Sequence, residues 1–299
     1  GEYEDLGVAQ SLPLNAVLEG EDPYGMTVEP YGGANGVVSA ETSQTNGGLG
    51  PLNLLSKVPM GSQTHNYALL IDGGKNANEN HIRYWNDISF MYQTLTKVYG
   101  YPKSNIIVLM ANAGTTADRH YQTVSGTVYK DPSPKDLDGD TVSETVSAAT
   151  KANLINALYN LNTSKTTSDH LFIFTTGHGG PITGGGTNDV KYYLWNEEII
   201  SDADFVKALP DKFGDITIVM EQCNGGGFID NFQTSFHTGY MTQKRIIHTA
   251  ASSTESSYGN AFSNVWTRGV AMTNDRVISS GHRTKRQSQV VQRQFVQGQ

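Results

Sequence analysis

Two stretches decide how this chain is read: residues 171–180, LFIFTTGHGG, and residues 216–227, ITIVMEQCNGGG. Each opens as an apolar run rich in β-branched residues, the composition of a strand buried on both faces of a sheet. Each then stops on a reactive side chain set in glycine, His178 in the first and Cys223 in the second. In an open parallel sheet, ligands and chemistry gather beyond the carboxyl ends of the strands. An imidazole and a thiol presented there suit a cysteine nucleophile served by a histidine. The competing reading makes Cys223 a buried apolar residue and His178 a hydrogen-bonded turn residue. That both strands end in the same glycine-rich way favours catalysis.

Working outward, residues 66–72 (NYALLID) and 105–110 (NIIVLM) are further buried strands. Between them Trp85, Ile88, Met91, Leu95 and Val98 recur at three- and four-residue steps, one apolar face of a helix over 83–98 closed by Gly100 and Pro102. Strand, helix and strand with short joints make a βαβ unit and hence a parallel sheet. Leu154, Ile155, Leu158 and Leu161 predict a second helix leading into the His178 strand. Residues 179–187 read as a glycine-rich loop able to flex over a site, and 191–195 as a strand. Ser201, with Asp204 three residues on, starts a short helix ending near Pro210. Residues 245–251 (RIIHTAA) form another strand, with His248 in its middle as a core or pocket-wall residue.

Residues 115–147 read as a polar connection. Within it Asp136, Asp138, Gly139 and Asp140 have the spacing of a cation loop, but the glycine is misplaced for an EF-hand and the distal Glu is missing at its usual spacing. A solvated acidic turn is the alternative. Residues 1–60, rich in Pro, Gly, Asn and Ser (YGGANG at 31–36, QTNGGLGP at 44–51), are expected to be an N-terminal extension or pro-segment. Residues 61–275 are the folded domain and 276–299 a polar tail.

Composition narrows the function. The 299 residues suffice for one large domain with an ample core. The net charge of −8, without a long basic block, argues against nucleic acid. No apolar run approaches the length of a membrane span. Cys223 is the single cysteine, which removes an internal disulfide and a paired-cysteine zinc site, and no metal or cofactor is called for. No G-x-S-x-G elbow supports a serine hydrolase.

Four blocks, in order, carry a family likeness: RYWND (83–87), TGHGG (176–180), EQC (221–223) and TAASSTESSY (249–258), of which the ending ESSY is the most specific. With them the chain resembles the legumain-like cysteine peptidases, the asparaginyl endopeptidase family, in the clan that also holds caspases, gingipains and clostripain. The likeness covers roughly residues 65–270 and leaves 1–60 and the tail unread. It implies an α/β fold, a caspase-like three-layer sandwich with a mainly parallel central sheet flanked by helices. It implies Cys223 as nucleophile, His178 as acid/base, and the backbone N–H groups of Gly179 and Cys223 as oxyanion donors. It places Arg83, Glu221 and Ser256, with Asn264, around the pocket for the residue before the scissile bond. Where the family has a third catalytic residue, an Asn, this chain has His81, with Asn80 beside it. Where legumains have an Asp before the catalytic His, linked there to ligation, this chain has Gly177.

The expected activity is therefore endopeptidase cleavage after Asn, with Asp accepted at acid pH, on protein or peptide substrates. Two other functions stay open: a transamidase or peptide ligase, in which an amine resolves the acyl-enzyme, and a non-catalytic protease-like binding module. Self-processing of a zymogen at Asn35, Asn46 or Asn274 and a secreted or periplasmic location complete the expectations.

Overall fold

The computed structural model describes residues 64–122, 128–163, 165–236, 244–257 and 296–297. The expected N-terminal extension, nearly all of the tail, Asn264 and the three candidate processing sites lie outside the described residues.

β1 (Asn66–Asp72) leads through a loop to α1 (Ile82–Gln93) and back to β2 (Ile106–Met110). A hairpin, β3 (Arg119–Gln122) with β4 (Val128–Asp131), and the short β5 (Val146–Ser147) precede α2 (Lys151–Thr163) and β6 (His170–Thr176). Three small strands come next, β7 (Gly179–Pro181), β8 (Val190–Tyr193) and β9 (Ile199–Ser201), then α3 (Asp202–Ala208). β10 (Asp215–Met220), α4 (Phe228–Phe236), β11 (Lys244–Thr249) and β12 (Val296–Gln297) complete the order.

The central sheet runs β12-β11-β10-β6-β1-β2-β5. Every neighbouring pair is parallel except β11 with β12. Side-chain alternation divides each buried strand between two cores. Ala68, Leu70, Phe172, Phe174 and Val219 meet Trp85, Ile88, Met91 and Leu95 of the α1 side. Leu69, Ile71, Ile173, Ile216, Ile218 and Met220 meet Leu154 and Leu158 of α2, Phe205 of α3 and Phe228 of α4. Helices on both faces of a mainly parallel sheet make the expected three-layer α/β sandwich.

The structure changes three local expectations. The first helix leaves α-geometry at Thr94, and residues Thr94–Val98 form a π-helical turn. Thr94 and Thr96 turn their hydroxyls onto the carbonyls of Phe90 and Tyr92 at 2.8 and 2.9 Å, competing with the regular ladder. The polar connection over 115–147 carries the β3–β4 hairpin and β5. Residues 179–181, expected in a loop, are instead strand β7, paired with β8 in a three-stranded sheet. Ser201 does cap α3 as expected, its hydroxyl accepting from Asp204 N–H at 3.0 Å.

Candidate active site

β6 and β10 are adjacent and parallel, with Thr175 paired to Met220. His178 and Cys223 each stand three residues beyond that pair, so equal offsets bring them out side by side at the carboxyl end of the sheet. β7 then passes directly over the Cys223 peptide. A Cβ on Gly179 would lie 2.0 Å from the Cys223 carbonyl oxygen, so only glycine allows this approach. Gly177 has φ +129°, a conformation an Asp would not adopt without strain.

Cys223 is partly buried. The N–H of Ser257 donates to its Sγ at 3.3 Å. The turn after it is fastened to the chain beyond β11: Asn224 N–H donates to Glu255 O at 2.8 Å, and Asn224 Nδ2 to Ser253 O at 2.7 Å. Among the described residues no hydrogen bond joins the thiol to the imidazole.

His178 is held from the β1–α1 loop. Its Nε2 lies 2.8 Å from the main-chain carbonyl of Glu79 and 3.3 Å from Tyr84 Oη. A carbonyl only accepts, so Nε2 carries the proton and Nδ1 of the neutral ring is the basic nitrogen. Tyr84 also packs its ring edge-on at 5.4 Å between centroids. Burial pushes the His178 pKa below its ordinary value, Arg83 and Lys75 add to the depression, and the Glu79 contacts oppose it. Burial raises the Tyr84 pKa, keeping its hydroxyl neutral. The neutral imidazole is a base ready to receive a proton.

Two of the expected pocket residues, Arg83 and Glu221, fall on the α1 side. Asp72 pairs with Thr176 across β1 and β6, and Glu221 comes directly after Met220 beside them. Thr176 Oγ1 lies 2.7 Å from Glu221 Oε2 and 3.2 Å from Asp87 Oδ2. Glu221 is buried, as are Asp72 and Asp87. Burial, then the nearby Asp118, raises the Asp72 pKa and favours its neutral form. Arg83, one helical turn before Asp87, lays its guanidinium 4.6 Å from the Tyr84 ring centroid and donates from Nη2 to the Tyr84 hydroxyl at 2.9 Å. Its Nε is buried without an acceptor among the described residues.

The remaining expected residues separate. His81 is the N-cap of α1, its ring centroid 6.0 Å from that of His178 without a hydrogen bond between them. Asn80 points away, its Nδ2 donating to Asp118 O at 2.6 Å. Ser256 is exposed, next to the Ser257 whose backbone meets the thiol. Sequence reasoning missed Glu79, Tyr84, Thr176 and Tyr192. Tyr192 Oη is buried under the site, accepting from Gly73 N–H at 2.8 Å and bonded to Thr176 O. Tyr84 stood inside the RYWND block and Thr176 opened the TGHGG block; Glu79 and Tyr192 carried no local signal.

The acidic turn holds a cation of its own. One carboxylate oxygen each from Asp136, Asp138 and Glu144 lie within 4.8 Å of one another. Lys103 Nζ sits among them, 2.9 Å from Asp138, 2.7 Å from Asp140 and 3.0 Å from Glu144.

The family model described as the Peptidase C13 family matches residues 66–295, taking in both strand ends and the chain beyond β11. The chain belongs to the Peptidase C13 family. Among curated proteins, the vacuolar-processing enzyme beta-isozyme of Arabidopsis thaliana is 26% identical over 211 residues, 64% of this chain and 39% of that protein. The chain thus spans well under half the length of this relative. Among solved structures, a Geobacter sulfurreducens protein is similar with TM-score 0.41 and 12% identity over 68% of this chain and 80% of its own. Chaetomium thermophilum Raptor is similar with TM-score 0.36 and 11% identity, over 71% of this chain and 18% of its own. Membership in Peptidase C13 supports a cysteine peptidase or a related legumain-type activity.

Proposed function

We propose that this chain is a cysteine endopeptidase that cleaves after Asn, and after Asp at acid pH, through Cys223 and His178. The observation that carries the reading is the pairing of these two residues at equal offsets beyond adjacent strands, with β7 lying on the Cys223 peptide. Cys223 Sγ attacks the scissile carbonyl carbon as its proton passes to His178 Nδ1. The carbonyl electron pair moves onto oxygen, where the N–H groups of Gly179 and Cys223 are the proposed donors. Collapse breaks the C–N bond, His178 returns the proton to the departing amine, and a thioester remains. Water then attacks the thioester with His178 as base, releasing the acid and the thiol.

Specificity comes from the α1 side. An Asn side chain offers one carbonyl acceptor and one amide donor. Arg83, whose Nε is buried without an acceptor among the described residues, suits the carbonyl, and the Glu221 carboxylate suits the amide. A substrate Asp would satisfy Arg83 but meet Glu221 at like charge, a repulsion that one proton relieves.

Peptide-library digestion at neutral and mildly acidic pH tests this. Wild type is expected to cut after Asn at both, with the Asp:Asn ratio rising on acidification, and Glu221→Gln is expected to flatten that rise. Cys223→Ala is expected to abolish cutting. Cleavage after Lys or Arg, an Asp:Asn ratio indifferent to pH, or turnover without Cys223 would reject the proposal. Transfer of the acyl group to an added amine in preference to water would move the reading to a transamidase.

A further inference from the structure

Beside His178, two lysines converge on one aromatic ring. Lys191 stands on β8 opposite Gly180 of β7, and its Nζ lies 5.1 Å from the centroid of Tyr193. Lys75, in the loop after β1, places its Nζ 5.1 Å from the same centroid. Tyr193 is tied to the site, its N–H donating to the His178 carbonyl at 2.9 Å. Lys75 is answered by Glu79 at 2.7 Å, and Glu197 nearby is held by Asn76 Nδ2 at 2.9 Å. Lys191 has no carboxylate partner among the described residues. An unpaired ammonium on a chain of net charge −8 thus stands beside the strand that comes after the base.

The order of the strand ends gives Lys75 a place in the reaction, and the shared Tyr193 ring brings Lys191 to it. Across the sheet the segments after β11, β10, β6 and β1 carry Ser257, Cys223, His178 and Lys75 in turn. The acyl half of a bound peptide stays on Cys223, and the amine leaves past His178, toward the β1–α1 loop and the β7–β8 strands. We propose that Lys191, with Tyr193 and Lys75, forms a subsite for a carboxylate on the leaving-group side of the scissile bond. The inference rests on the peptidase reading above and adds a substrate class to it: peptides acidic just after the cut. Tyr193 supplies a flat surface for the peptide, and Lys191 the charge that selects it.

The test uses C-terminally amidated peptides sharing one acyl side, with Glu, Gln or Lys in the first two positions after the bond. A Gln peptide with a free terminal carboxylate separates a side-chain carboxylate from a chain end. Binding is read by fluorescence anisotropy on Cys223→Ala, and turnover on the wild type. Glu or the free carboxylate is expected to bind about three- to fivefold tighter than amidated Gln, the span of a partly exposed ion pair. Lys is expected to bind weakest. Added salt should shrink the differences, and Lys191→Gln should remove them. Equal binding of all four peptides, or an acid preference that survives Lys191→Gln, overturns the subsite. Cleavage without acid preference removes the subsite and leaves the peptidase. Acid-selective binding without cleavage does the reverse.

Discussion

His178 is the residue on which the proposed chemistry turns, and its surroundings make a sign that can be measured. The ring must be neutral to accept a proton, so activity is present above its pKa and lost below it. Burial, with Arg83 and Lys75 nearby, moves that pKa down. The acidic limb of kcat/KM for an uncharged Asn substrate should therefore fall below the ordinary histidine value of about 6.5. A limb at or above that value would mean that the surroundings do not depress the His178 pKa, or that another group sets the limb. Glu79 contributes through its carbonyl, so substituting its side chain should spare the ring's tautomer. In this respect the base is oriented by backbone, which no side-chain motif announces.

At the scale of elements, β7 decides whether the two strand ends become one site. It crosses the Cys223 peptide so closely that a methyl group at Gly179 would meet the Cys223 carbonyl at 2.0 Å and Gln222 Cγ at 2.8 Å. A methyl at Gly180 would meet only Tyr193 and Lys191 atoms, at 3.6 and 3.9 Å, ordinary contacts. Gly179→Ala is thus expected to cost about 1–3 kcal/mol of stability by overpacking and to remove most activity. Gly180→Ala should leave both near wild type. Thermal melts and a peptide assay on the pair decide it, and equal behaviour of the two variants would mean that β7 does not abut the nucleophile. Beneath β7, the Tyr192 hydroxyl links Gly73 N–H to the Thr176 carbonyl, fastening the ends of β1 and β6 together.

For the whole molecule, the ion cluster at Lys103 joins the start of β2 to the acidic turn. Burial opposes the charge on Lys103, but the hydrogen bonds it donates to Asp140, Asp138 and Glu144 hold its pKa above the ordinary value. Asp138 and Glu144 are largely buried there and would face each other unpaired without it. Lys103→Met should therefore lower the melting temperature at neutral pH. The clustered carboxylates would then repel one another with no cation between them, and that destabilisation should shrink on acidification. Melting curves over a pH series check this, and a deficit that is constant with pH would show that the charges are not the cause.

The sequence alone determined the layers and placed His178 and Cys223 just past the ends of two buried strands. Apolar β-branched runs ending in glycine make buried strands, and the residues just past the ends of such strands emerge together at one edge of a parallel sheet. Tyr84, Thr176 and Glu221 each lay within a recognisable block, yet nothing in the blocks said that Thr176 meets Glu221 or that Tyr84 meets His178. The row of Asp72, Thr176 and Glu221 depends on strand register across β1, β6 and β10, over separations of 104 and 45 residues. The grip of Glu79 on His178 spans 99 residues, and Tyr192 reaches Gly73 across 119. Asp136, Asp138 and Asp140 could be read as a cation loop; folding brought the Lys103 ammonium onto Asp138 and Asp140, together with Glu144. Local pattern records which face of a strand or helix is buried, because that depends on neighbours in the chain. Which polar groups then meet is decided by register and packing, and these exist only once the sheet has formed.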